Sequence, residues 1–90
     1  MAQRPTTLTP AQQHILTRVA EGWALGEDLS VRGTGSCWLQ QHGLGKGGAV
    51  EEVSARAVAS LVQRGLLHPV ARDFPVLRYG LTTSGARRAQ

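Results

Sequence analysis

Apolar residues recur at two different spacings along this chain of 90 residues, and the change between them marks out its elements. Ile15, Leu16, Val19 and Ala20 follow at helical spacing. Just ahead of them, Thr9-Pro10-Ala11-Gln12 offers a capping side chain, a proline at the first helical position and a glutamine three residues after the cap. Gly22 stops the run, and Trp23 follows where it can fold back onto the apolar side. A first helix is therefore expected over residues 10–21. Between Trp23 and His42 the spacing falls to two, because Leu25, Leu29 and Val31, then Cys37 and Leu39, alternate around the turn-forming segment 32–36. This predicts a hairpin, with a bulge or shortened strand at Gly26-Glu27-Asp28.

Four glycines within residues 43–48 make any fixed conformation entropically costly, and a flexible loop is expected there. Glu51 and Glu52 would suit the positive end of a helix, at its first turn or just ahead of it. That helix is expected over residues 54–64, capped by Ser54 and stopped by Gly65. Val58, Leu61 and Val62 share one side of it, while Arg56, Ser60 and Gln63 cluster opposite. Ala55, Ala59 and Ser60 keep the outer side thin. Residues 66–71 and 76–81 read as two strands around Arg72-Asp73-Phe74-Pro75, with Pro69 confining the first to an edge. Thr82 or Thr83 then caps a short last helix, whose Arg87 and Arg88 complement its negative end. The pattern predicts one α+β domain over residues 9–90, behind a flexible N-terminal arm of residues 1–8.

Composition and charge change this picture in a few respects. Aromatic residues are scarce, so aliphatic side chains must build the core, with Trp23, Trp38, Phe74 and Tyr79 as the few large pieces. Residues 1–52 carry four basic and five acidic side chains, whereas residues 53–90 carry six arginines against Asp73 alone. A one-sided basic surface favours a polyanionic partner, nucleic acid first and an acidic protein second. No apolar run approaches the roughly 18–20 residues of a membrane span, and the N-terminus lacks a hydrophobic signal segment. A cytoplasmic protein without membrane contact is expected. Cys37 is the single cysteine, which excludes an internal disulfide and a multi-thiolate zinc site.

The second half carries a longer string. Val53-Ser54, then Val58, Leu61 and Gly65-Leu66-Leu67, followed across a basic turn by Tyr79-Gly80-Leu81-Thr82-Thr83-Ser84-Gly85, resembles the winged-helix domains of bacterial regulators of the MarR and PadR families. Residues 8–22 look like their first core helix. The resemblance implies a winged-helix-like fold in the order helix, hairpin, helix, wing hairpin, short helix, with residues 54–64 as recognition helix and 66–81 as wing. Those domains usually place a further helix just before the recognition helix, where residues 24–48 here read as a hairpin and a glycine loop. In that respect the order is similar to the small YjhX-like proteins, assigned as toxins, which have a reduced winged-helix arrangement.

If the domain binds double-stranded DNA, Arg56, Ser60 and Gln63 are the candidates for base edges, since Arg suits the two guanine acceptors and Gln the adenine edge. Lys46, Arg64, Arg72 and Arg78 are the candidates for phosphates, each contact adding about −0.9 to the salt slope. The expectation is a small non-catalytic transcriptional regulator, for which a homodimer would add affinity and specificity although no dimerisation helix is evident outside the core. The alternative is a winged-helix-shaped protein-binding module, such as a phage- or plasmid-borne inhibitor or a toxin-like factor. No cofactor, metal or catalytic residue is expected. The glycine loop departs from a phosphate-binding loop because Gly47, and not Ser or Thr, follows Lys46. Cys37 and His42 have opposite parity on a strand and would face apart, and His14, His42 and His68 lie in three different elements. A buried structural thiol is expected at Cys37, and core plugs at Trp23 and Trp38.

Overall fold

The first helix, α1 (Pro10–Ala20), forms where its end signals are strongest. In the computed structural model, which describes residues 7–29, 36–73 and 75–89, Gln12 N–H donates to Thr9 Oγ1 at 3.1 Å and Thr9 N–H to Gln12 Oε1 at 3.0 Å. Two otherwise free amides are satisfied reciprocally. At the other end Trp23 N–H donates to the Arg18 carbonyl and Gly22 N–H to that of Val19, both at 3.0 Å. This closure needs a left-handed residue, and Gly22 supplies it at φ 106°. Trp23 is thereby turned back beneath Arg18, whose guanidinium carbon lies 4.5 Å from the ring centroid. The helix stops one residue short of the expected end, with Glu21 as its cap.

The same chemistry bounds α2 (Ala55–Gln63). Ser54 Oγ accepts from Ala57 N–H at 3.2 Å, while Gly65 N–H donates to the Val62 carbonyl at 3.0 Å and Leu66 N–H to that of Leu61 at 2.9 Å. The last helix, α3 (Thr83–Ala89), starts directly on that ending. Thr82 Oγ1 accepts from Gly85 N–H at 3.0 Å and donates to the Gly65 carbonyl at 2.6 Å, and Thr82 N–H donates to the Leu66 carbonyl at 3.1 Å. A β-carbon at Gly85 would lie only 2.0 Å from the Leu66 carbonyl oxygen. The Leu-Thr-x-x-Gly segment is thus a cap plus a backbone contact that only glycine permits.

Among the described residues the three helices lie on one face of a five-stranded antiparallel sheet. Its strands are β1 (Ala24–Asp28), β2 (Ser36–Gln40), β3 (Val50–Val53), β4 (Leu67–Asp73) and β5 (Val76–Leu81), in the order β3-β2-β1-β5-β4. The predicted hairpin is β1 and β2, but its register runs unbroken through Gly26-Glu27-Asp28, so the expected bulge there is corrected. The irregularity lies instead between Pro69 and Ala71, on β4, which is an edge strand as Pro69 requires. Leu29 falls beyond β1, largely exposed, its N–H donating to the Pro75 carbonyl at 2.7 Å. Val31, the turn at 32–35, the first six residues of the expected arm and Phe74 lie outside the described residues.

Strand β3 was not expected. Glu51 and Glu52 read locally as a helix start, yet Val53 pairs with Cys37 and Val50 with Gln40, adding a fifth strand. Glu51 serves α1 instead: its Oε1 lies 2.6 Å from His14 Nε2, and its Oε2 lies 3.3 Å from Arg18 Nη2. The His14 hydrogen bond, with Arg18 beside it, holds the Glu51 carboxyl below its usual range. The core between helices and sheet is aliphatic, with Ile15, Leu16, Leu25, Leu39, Leu61 and Leu67 at its centre. Leu8, read as the last residue of the arm, is buried in this core, because the capping box fixes the chain just after it.

Candidate nucleic-acid interface

Helix α2 packs through Ala57, Val58 and Leu61 and leaves Arg56, Ala59 and Gln63 exposed, with Arg64 exposed at its end. Ser60 is the exception among the expected base-edge residues. Its Oγ accepts from Gln12 Nε2 at 3.0 Å, and Gln12 is buried between α1 and α2 with its Oε1 already engaged in the cap. Ser60 therefore belongs to the contact between helices, and the outward stripe is Arg56, Ala59 and Gln63, at i, i+3 and i+7. The helical projection missed this because Ser60 sits at the border of the two faces, where only the position of α1 decides. The small Ala59 at the centre of the stripe lets another surface approach the helix backbone closely.

The expected phosphate contacts divide between the two faces of the sheet. Along a strand successive side chains point to opposite faces, so Leu25, Cys37 and Leu39, which meet the helices, leave Ala24, Gly26 and Trp38 on the other side. Arg78 is the register partner of Gly26 and lies on that open face, where it lines a groove of about 830 Å³ together with Lys46. Arg72, the partner of Leu77, lies on the helix-bearing side, near Tyr79. The structure thus places Arg56, Gln63, Arg64 and Arg72 on one side and Lys46 and Arg78 on the other. Parity within β5 could have separated Arg78; no sequence signal places the loop that carries Lys46.

The open-face groove is formed by Trp38, Leu44, Val76 and Ala24, with His42 at its wall. Trp38 is half-buried there and is not a core plug, which the inward parity of Cys37 and Leu39 already required. The glycine-rich residues 41–48 form a series of turns, with Gln40 Oε1 accepting from Gly45 N–H at 3.0 Å and Gln41 N–H donating to the Ala49 carbonyl at 2.9 Å. Leu44 at their centre covers Gly26, where a β-carbon would meet Leu44 Cδ1 at 2.9 Å.

On the helix side, Tyr79 OH donates to Glu27 Oε1 at 2.7 Å. Burial, and then the Glu27 hydrogen bond, push the Tyr79 hydroxyl well above its usual range. Burial and the nearby Glu27 charge push the Cys37 thiol up to about 11. A thiol held protonated at neutral pH is a poor nucleophile. His42 stands on the opposite face, so the two do not form a pair. Among the described residues no group of three or more His, Cys, Asp or Glu side chains gathers where a metal could bind, and no helix is long and apolar enough to cross a membrane. Comparison with protein-family models, curated proteins and solved structures finds no significant match to this chain.

Proposed function

We propose that the chain is a small, non-catalytic DNA-binding protein, a cytoplasmic transcriptional regulator of winged-helix-like design, in which α2 is the recognition helix and the β4–β5 hairpin the wing. The observation that carries this reading is the outward face of α2. It presents Arg56 and Gln63 on either side of Ala59, with Arg64 and Arg72 on the same side of the sheet. A thin basic helix face suits a DNA major groove, and residues 53–90 carry no acid besides Asp73 to oppose the approach of phosphate. Strands β2 and β3 stand where winged-helix domains usually carry the helix before the recognition helix. Support for α2 comes instead from the sheet, through Leu39 and Leu67, and from α1 through the Gln12–Ser60 hydrogen bond.

The test is a fluorescence-anisotropy titration with random duplex DNA at several salt concentrations. The proposal expects binding that weakens steeply with salt, and a loss of about 1–3 kcal/mol in Arg56→Ala on a selected sequence. No binding at low salt would remove it. A second reading, a protein-binding module, is favoured by the replacement of the supporting helix by β2 and β3 and by exposed Val50 and Val70 on the edge strands. A stoichiometric acidic protein partner recovered without DNA would decide for it.

A further inference from the structure

We infer that the groove on the open face of the sheet is a binding site for a small organic anion, an apolar body carrying one carboxylate. The site stands apart from the DNA reading, because α2 lies on the opposite side of the sheet. Its volume of about 830 Å³ falls within the roughly 300–1,000 Å³ of small-molecule sites. Among the described residues its walls are mostly apolar, from Trp38, Leu44, Val76, Ala24 and Ala71, and the charged side chains lining it are both cations, Lys46 and Arg78. Glu52 and Asp28 share the open face without lining the groove.

Leu44 lies over Gly26, and the neighbours of Gly26 across the ladder, Trp38 and Arg78, both line the groove. An apolar body can therefore lie along the Trp38 indole and Leu44 while its carboxylate meets the guanidinium of Arg78 or the ammonium of Lys46. Such charge-assisted pairs are the stronger class of hydrogen bond, and a guanidinium can hold a carboxylate through two parallel bonds. A single indole in a bounded groove suits one small ligand better than a nucleic-acid strand, which needs successive stacking surfaces.

The two tryptophans make the test self-controlled, since Trp23 is buried on the helix side and Trp38 lines the groove. The ¹⁵N-labelled 90-residue chain is titrated with hexanoate, hexan-1-ol and hexylamine while both indole N–H resonances are followed. Hexanoate is expected to shift the Trp38 resonance saturably and leave that of Trp23 in place, with hexan-1-ol about ten-fold weaker and hexylamine weaker still. Arg78→Gln and Lys46→Gln, both at exposed positions, are expected to weaken hexanoate binding, Arg78→Gln by about ten-fold. Equal movement of both indoles, equal affinity for the alcohol, or no movement at all would overturn the proposal. A single-stranded oligonucleotide that shifts Trp38 where hexanoate does not would overturn it in favour of nucleic acid.

Discussion

On the helix side of the sheet Leu25, Cys37 and Leu39 disappear beneath α1, α2 and α3, while their chain neighbours Ala24, Gly26 and Trp38 look out on the other side under little more than the glycine-rich loop. The same ten residues of β1 and β2 build both surfaces. What differs is the cover. Helices bring branched aliphatic side chains that exclude water, and stability collects there. A loop of turns brings one histidine, one leucine and one lysine, so the open face keeps space, an indole and charge. One face of the sheet holds the fold, and the other keeps a groove.

The largest expected effect lies on the helix side. Leu61→Ala, at a fully buried position, should cost about 2–5 kcal/mol in urea unfolding, whereas Leu44→Ala on the open face should cost about 1 kcal/mol or less. Comparable losses would mean that the loop is part of the core, and the distinction between the faces would fail.

Next comes alkaline pH, through Cys37 and Tyr79 on the helix side. Cys37 has a folded pKa raised to about 11, so its stabilising effect is full below about pH 9, where the unfolded thiol ionises, and is lost as pH rises towards the folded value. Stability should fall by up to about 1.4 kcal/mol per pH unit across that window, with Tyr79 adding to the loss in the same direction. Urea midpoints at about pH 8 and about pH 10.5 measure it, and Cys37→Ala should remove part of the slope. A flat profile would show that the thiol is open to water.

Smaller effects sharpen the boundary. Ser60→Ala leaves the buried Gln12 amide without its partner and should cost about 1 kcal/mol, while Gln63→Ala, exposed three residues on, should change thermal stability very little. A small change, about 1 kcal/mol or less, is expected for Gly26→Ala, because the far end of the Leu44 side chain and the edge of the Trp38 ring, 2.9 and 3.2 Å from the new β-carbon, must both shift. Its signature is a shifted Trp38 indole resonance with that of Trp23 unmoved.

Much of the fold was legible because its signals are local. The Thr9–Gln12 box, the stops at Gly22 and Gly65, the Ser54 cap and the edge character of the Pro69 strand each follow from the chemistry of a few adjacent residues. Strand β3 was not legible: Val50-Glu51-Glu52-Val53 lacks alternation, the glycine-rich segment before it does not read as a hairpin turn, and its contact with His14 is made 37 residues away. The candidate site divides in the same way. Arg56 and Gln63 were legible from helical spacing, while the engagement of Ser60 by Gln12, 48 residues away, was not. Lys46 and Arg78 were grouped with α2 on charge alone, which is blind to the face of a sheet. Trp38 could have been placed correctly, since its two inward neighbours fix its parity.

The peptide joining Gly65 to Leu66 carries a consequence for motion. Its N–H closes α2, its carbonyl accepts a hydrogen bond from the Thr82 hydroxyl, and the next carbonyl accepts one from the Thr82 amide and seats Gly85. Opening the end of α2 therefore releases the start of α3, and the hairpin between them loses its closure at the same moment. In native-state hydrogen exchange the amides of Leu66 and Thr82 would share one opening free energy, and the segment from Leu61 to Ala86 would breathe as a single unit.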